Sequence, residues 1–238
     1  MTGPTGLREA VVATARALHR SGLAEGTSGN ISTRSGSTRS GSTRSGSARS
    51  GGSGEGFFIT PTGVPYEGLG AEHIVEVGAE GIVAQAQTYR PSSEWRIHRD
   101  IYRCRPEIGA VIHTHSPNAT ALACCRLGIP PFHYMVARAG STGIPCAPYA
   151  TFGTQLLSDH VLGTLEGHRA CLMANHGAIA VGADLVEALE VAKEVEYLAK
   201  IYSLALQIGR PVLLSAEEMQ EVQCRFRTYG QVDTGPRE

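Results

Sequence analysis

The sequence predicts a three-layer α/β/α sandwich around a central mixed, mainly antiparallel sheet. Short runs of apolar and β-branched residues, such as Ile108 to Ile112, alternate with segments whose apolar residues recur every three or four positions. Many of the connections between them are short, which favours antiparallel pairing. The 238 residues suit one large domain over residues 1–238, and the hydrophobic share of 42% can supply a sizeable core.

The elements follow in order. Leu7 to Arg20 has helical spacing, with Leu7, Val11, Val12, Ala15 and Leu18 on one face and Gly22 as a left-handed cap. Gly26-Thr27-Ser28-Gly29-Asn30 reads as a polar turn rich in backbone donors. Gly56 to Thr60 is a short strand leading into the turn Pro61-Thr62-Gly63-Val64-Pro65, and Val75 to Val77 and Gly81 to Val83 are further short strands. Ser92 to Arg105 is a helix with Ser92 or Ser93 as its N-cap. The run ending at His113 is a buried strand bounded by Pro106 and Pro117, and Pro117 to Arg126 is helical. Ile144 to Tyr149 is extended, Gly153 to Leu165 a helix, Ala170 to Ala174 and Ile179 to Val181 strands, and Ala183 to Ile208 a long amphipathic helix.

From Ser32 the chain reads STRSG-STRSG-STRSG-SARSG, a pentad repeat broken by one alanine. It contains no large apolar residue that could offset the entropy of ordering. The reading is a flexible insertion at about 33–54 between two strands, and the period is too short and polar for a solenoid.

The net charge of −1 gives no basic excess for nucleic acid or an anionic membrane. The six cysteines form no Cys-x-x-Cys and mostly sit among apolar residues, so they read as reduced core thiols. Residues 1–16 lack an apolar stretch of signal-peptide type, and no apolar run is long enough to span a bilayer, so the expectation is a cytoplasmic protein.

His113-Thr114-His115 ends the buried run. Alternate residues of a strand share a face, so the two imidazoles point the same way and can form half of a divalent metal site. Alone, the pair reads more readily as a core histidine beside a surface one. A third histidine, His176, follows a buried strand in Asn175-His176-Gly177. Three neutral imidazoles with an open position form the pattern of a catalytic zinc site. Glu94 is the natural fourth group, able to ligate the metal at rest and act as a base when substrate displaces it. Alone, it reads as a helix-start charge favoured by the macrodipole. Among the remaining histidines, His98 and His133 are candidates to support the ligands.

A second group suits phosphate. Gly29-Asn30, Thr62-Gly63 and Ser92-Ser93 place hydroxyl, amide or backbone donors at turns, the last pair at a helix start beside Glu94. Each alone is an ordinary turn or cap.

Together the segments GTSGNIS (26–32), ITPTGVPYE (59–67), the PSSEW block (91–121), HYMVARAG (133–140), IPCAPYATFGT (144–154), NHGAIA (175–180) and EVEYLAKIY (194–202) resemble the class II aldolase/adducin family. The likeness is greatest to its bacterial L-fuculose-1-phosphate aldolases and spans nearly the whole chain outside the pentad insertion. It implies cleavage of L-fuculose 1-phosphate to dihydroxyacetone phosphate and L-lactaldehyde, with one Zn2+ per subunit in a homotetramer whose active sites lie at subunit interfaces. By the same resemblance His113, His115 and His176 are zinc ligands and Glu94 the metal-proximal acid/base. Asn30, Thr62, Gly63, Ser92 and Ser93 form the phosphate pocket, with Gly29 beside it. Tyr134, from a neighbouring subunit, is the proton donor to the aldehyde oxygen, Phe152 an apolar wall, and Tyr229 a C-terminal tyrosine that closes the site.

No lysine lies in the constellation, which argues against a Schiff-base aldolase. The related 4-epimerases of L-ribulose 5-phosphate use the same retro-aldol chemistry but typically carry aspartate where this chain has Glu94. Aldolases or dehydratases of 5-deoxy- or methylthio-pentulose phosphates remain open, because a few apolar contacts worth ~1–3 kcal/mol decide the aldehyde. A non-catalytic scaffold, as in adducin heads, would be expected to lose the metal ligands that this chain retains.

Overall fold

The computed structural model describes residues 3–36, 56–81, 83, 87–140 and 142–226. Seven strands form one sheet: β1 (Asn30–Arg34), β2 (Phe57–Ile59), β3 (Val75–Val77), β4 (Ala110–Thr114), β5 (Cys146–Ala147), β6 (Ala170–Met173) and β7 (Gly177–Gly182). Their order is β3-β2-β1-β4-β7-β6-β5. Every neighbouring pair is antiparallel except β5 and β6, so the sheet is mixed and mainly antiparallel.

Side chains alternate across the strands and feed two separate cores. Ile31, Ile112, Leu172 and Ala180 meet α1 (Pro4–Arg20), α3 (Pro117–Cys124) and α6 (Leu185–Ile208). Val111, Ile179, Val181 and Met173 face the other way, onto α2 (Trp95–Cys104) and α5 (Gln155–Thr164). The result is the three-layer sandwich. Among the described residues, no helix is long and apolar enough to cross a membrane.

Several element boundaries differ from the sequence reading. α2 begins at Trp95, not Ser92, and neither serine caps it: Glu94 is the N-cap and makes no side-chain cap bond. The preceding residues are held extended by an isolated bridge between Pro61 and Pro91 and by the Ser92 N–H donating to the Thr60 carbonyl, so the helix starts only after them. Within the extended segment 144–149, Cys146 and Ala147 pair with β6, and Ile144 makes an isolated bridge with Ile129. Of the strand expected at 81–83, Val83 makes one bridge with Val77, and residue 82 lies outside the described residues. α3 ends at Cys124, and Arg126 takes a left-handed φ of 55°.

A strand was expected before the insertion, but without bounds and not as running into the repeat itself. β1 runs through Thr33 and Arg34, paired to both β2 and β4, so the first three residues of the pentad pattern belong to the sheet. Residues 37–55, most of the expected insertion, lie outside the described residues. Two helices were also unforeseen, α4 (Val136–Ala139) and α7 (Ala216–Phe226). The second has a legible start, since Ser215 Oγ accepts from the Glu218 N–H and Glu218 accepts from the Ser215 N–H, a reciprocal capping box.

Candidate functional site

The site forms where three neighbouring strands and the start of α2 meet. His113 lies on β4 with the same side-chain parity as Val111, so its ring faces the α2 layer. Its Nδ1 lies 3.0 Å from the Ala178 carbonyl on β7, which accepts the Nδ1 proton and leaves Nε2 facing the cluster. His115 lies just beyond β4. His176 sits in the turn between β6 and β7, where Asn175 takes a left-handed φ of 55°. Gly177 follows, and any Cβ there would strike the Thr114 carbonyl oxygen, so only glycine lets the turn close against the end of β4.

The three rings surround one point, with centroids 4.7, 4.8 and 4.9 Å apart. Glu94 completes the cluster, with Oε2 3.0 Å from His113 Nε2 and Oε1 3.3 Å from His176 Nε2. One ligand atom from each of the four residues lies within 4.8 Å of the others. His113 and Glu94 are buried, while His115 opens to the pocket.

This donor set fits a divalent cation. His113 Nε2 and His115 Nε2 stand 2.9 Å apart, and Glu94 Oε1 is buried without a hydrogen-bond partner. An orphaned buried acceptor costs ~1–3 kcal/mol, and lone pairs aimed at one another are held together by positive charge between them. The electrostatics agree. Burial tends to raise the Glu94 carboxyl, but His113, His176 and the Asn30 amide more than offset it and hold it below the usual carboxylate range. Burial and the neighbouring rings lower His115 and His176 to about 4, so both are neutral ligands at pH 7. Burial also opposes protonation of His113, yet Glu94 raises it on balance, a sign that the carboxylate calls for a cation beside it.

Next to the cluster is a pocket of about 340 Å³. Gly29, Asn30, Thr62, Gly63, Ser92, Ser93, Glu94, His115, His176 and Phe152 all line it. Gly29 and Gly63 have φ of 78° and 72°, turning their backbones through a region that glycine favours. Gly153 packs close to Ser93, bringing the loop that carries Phe152 against the start of α2, where Arg96 donates to the Gly153 carbonyl at 2.9 Å. The pocket also includes Thr27, Ser28, Tyr149 and Asn175, which the sequence reading did not single out. Thr27 and Ser28 were within the donor-rich turn, and Tyr149 within the IPCAPYATFGT block, so both signals were present.

Tyr134, expected from a neighbouring subunit, is not among the residues lining the pocket of its own chain. It is half exposed and stacks on Phe226 of α7, with ring centroids 6.3 Å apart. Tyr229 lies outside the described residues. Of the two supporting histidines, His133 packs beside Tyr134, whereas His98 lies directly behind the cluster. Glu94, His98 and Tyr102 recur every fourth residue and form one stripe facing Asn30, Ser32 and Arg34, which alternate on β1. That match of a four-residue helical spacing to a two-residue strand spacing was readable in the sequence, and it went unused because the strand before the insertion was given no bounds and Ser32 to Arg34 were counted with the repeat.

Comparison with known proteins accords with the geometry. The sequence model of the Class II Aldolase and Adducin N-terminal domain matches residues 9–203. A 5-methylthioribulose-1-phosphate/5-deoxyribulose-1-phosphate aldolase of Rhodospirillum rubrum is 44% identical over 94% of this chain and 92% of its own. An L-fuculose phosphate aldolase of Escherichia coli K12 is 42% identical over 94% of this chain and 95% of its own. A solved L-fuculose 1-phosphate aldolase superposes with a TM-score of 0.82 at 36% identity, covering 93% of this chain and 96% of the other. The chain belongs to the class II aldolase and adducin family and is an enzyme of its aldolase branch, a carbon–carbon lyase.

Proposed function

We propose that the protein is a zinc-dependent aldolase that reversibly cleaves a deoxyketose 1-phosphate to dihydroxyacetone phosphate and a small aldehyde. The candidate substrates are L-fuculose 1-phosphate, which gives L-lactaldehyde, and the 5-deoxy- or 5-methylthio-ribulose 1-phosphates. The observation that carries this reading is the Glu94-His113-His115-His176 cluster at one end of a pocket lined with hydroxyl and backbone donors.

Glu94, His113, His115 and His176 would hold the ion. When bound, it supplies Lewis-acid polarisation of the substrate carbonyl. The chain's own groups do the rest. Asn30, Thr62, Gly63, Ser92 and Ser93 grip the phosphate and fix the carbon skeleton relative to the cluster. Glu94 carries the proton to and from the carbon released by C–C cleavage. The aldehyde oxygen needs a separate proton donor, and we assign this to Tyr134 of a neighbouring subunit. Its exposure and its distance from its own pocket support a homotetramer with active sites at subunit interfaces. Phe152, 66% exposed at the pocket edge, forms the apolar wall for the methyl or methylthio end. The closing role is assigned to Tyr229, which lies outside the described residues. All six thiols are free, and only Cys171 is a buried core thiol as the sequence reading had them, while Cys104, Cys124, Cys125 and Cys224 are exposed. Free exposed thiols suit a reducing, cytoplasmic setting.

The test is release of dihydroxyacetone phosphate from each of the three ketose phosphates by metal-loaded protein, with and without a chelator. Chelator-sensitive cleavage is expected, and the ratio of kcat/KM values assigns the substrate. No cleavage of any of them by zinc-loaded protein overturns the reading.

A further inference from the structure

Behind the cluster runs a chain of buried polar side chains, of which the steps above use only Asn30 and Glu94. Asn30 Nδ2 donates to Glu94 Oε2 at 3.1 Å. Asn30 Oδ1 lies 2.5 Å from His98 Nε2. His98 Nδ1 lies 2.6 Å from Ser32 Oγ, and Ser32 Oγ lies 2.7 Å from the Tyr102 hydroxyl. All of these residues are buried, and His98 and Ser32 are wholly inaccessible to solvent.

We infer that His98 is a positioning residue for the metal cluster: its Nε2 proton fixes the Asn30 amide so that the NH2, not the carbonyl oxygen, faces Glu94. The inference rests on reading the cluster as a metal site.

An asparagine amide can sit in two orientations that differ only by exchange of O and N. Turned the other way, Asn30 would place its oxygen 3.1 Å from a carboxylate oxygen. The same wrong oxygen would face the pocket that Asn30 lines, where the substrate's phosphate is proposed to bind. Asn30 therefore stands between two anions, and only the NH2-forward orientation suits both.

His98 decides between the two orientations. With Nε2 protonated it donates to Oδ1, and with Nε2 bare it would accept from an inverted amide. The tautomer is set from behind: the Ser32 hydroxyl donates to Nδ1, and its own oxygen accepts from Tyr102. The Tyr102 phenol keeps its proton because burial disfavours the phenolate. The Arg34 guanidinium, stacked 4.8 Å from the ring centroid, bonds to the carbonyls of Tyr102, Arg105 and Ile108 and so fixes the end of α2 that carries the phenol. Every donor from Tyr102 to Asn30 then points towards Glu94, and the polar side-chain atoms of Asn30, His98, Ser32 and Tyr102 are all partnered within the chain.

The test is Co2+ affinity, read by chelator competition and by the visible absorption of the bound ion, in the full-length protein. His98→Leu is expected to weaken Co2+ binding by roughly 10–100-fold, the usual cost of losing a group that orients a ligand. His98→Gln, whose amide can reach the Nε2 position, should recover most of it. In an Asn30→Ala background, His98→Leu should cause no further loss, because its effect passes through Asn30. If His98→Leu fails to fold, Ser32→Ala provides the same comparison, with a smaller loss that Asn30→Ala also abolishes. A folded His98→Leu variant with wild-type Co2+ affinity, or losses that simply add in the double variants, overturns the inference. Metal binding reads it independently of turnover. A wild type that binds Co2+ yet cleaves none of the sugar phosphates refutes the substrate reading alone, and one that binds no metal refutes both.

Discussion

Asn30 and His113 stand directly opposite each other on the adjacent antiparallel strands β1 and β4. Asn30 donates to Glu94 Oε2, and His113 Nε2 lies 3.0 Å from the same oxygen. The backbone ladder therefore sets the spacing of two groups that act on one carboxylate. A slip of β1 by one residue against β4, whose own register is held by β7, would turn the Asn30 side chain to the opposite face and dismantle the junction.

The tightness of that junction can be tested at Gly29. It has a φ of 78°, and an added Cβ would lie 2.5 Å from the His113 carbonyl oxygen. Gly29→Ala is expected to destabilise the fold by about 1–3 kcal/mol through backbone strain, lowering Tm by ~2–4 °C per kcal/mol. The purified variant should also retain less zinc, read by elemental analysis. Unchanged Tm and zinc content would show that the junction is softer than its geometry indicates.

Glu94→Gln keeps the size of the side chain and removes its charge and proton-carrying capacity. Cleavage should fall by roughly 10²–10⁴-fold in kcat, the typical contribution of a positioned acid/base. Circular dichroism should report an intact fold. A variant that keeps more than a tenth of wild-type kcat would remove Glu94 from the proposed chemistry.

The donor-lined end of the pocket makes a different prediction. Ser93→Ala and Thr62→Ala each delete one hydroxyl facing the proposed phosphate position. A hydrogen bond to a charged group is worth about 1.5–3 kcal/mol, so each should cost roughly 10–100-fold in kcat/KM. The comparison to make is with the unphosphorylated ketose, whose much slower cleavage should be unaffected. Equal losses on both substrates would place the phosphate elsewhere.

Acid should weaken the fold through His98. Burial, reinforced by His113 and opposed by Glu94, lowers its pKa from 6.5 to about 3. Between these values the unfolded chain binds a proton that the folded chain refuses, so stability falls as pH falls, by ~1.4 kcal/mol per pH unit for this one group. Glu94, held below the ordinary carboxylate range, adds a loss of the same sign at lower pH. His115 and His176, lowered to about 4, add losses of the same sign in this window. Urea unfolding of metal-free protein from pH 7 to pH 5 should therefore show the decline, and His98→Gln should make it shallower without abolishing it. A midpoint that does not move with pH in the wild type would contradict a neutral, buried His98.

Much of this protein was written locally. The apolar face of α1, the β-branched run of β4 and the long amphipathic α6 fixed their elements through periodicity alone, because burying an apolar stripe dictates its spacing. His113, His115 and His176 were visible as ligand types beside buried strands, and Glu94 as a charge at the start of a helix. The extent of β1 was not visible, because Ser32, Thr33 and Arg34 carry the letters of a low-complexity repeat and become a strand only between β2 and β4. The start of α2 was displaced for a similar reason: Ser92 has the chemistry of a cap, but its N–H is committed to Thr60.

The sequence by itself determined which residues could bind a metal or a phosphate and which faces had to be buried, since both follow from side-chain chemistry and short-range spacing. Only the tertiary structure decided that the cluster draws ligands from positions as far apart as 94 and 176, that Asn30 lies between His98 and Glu94, and that Tyr134 stands away from the pocket of its own chain. Those relationships depend on strand order and register, which are set by contacts between residues remote in sequence and leave no local pattern.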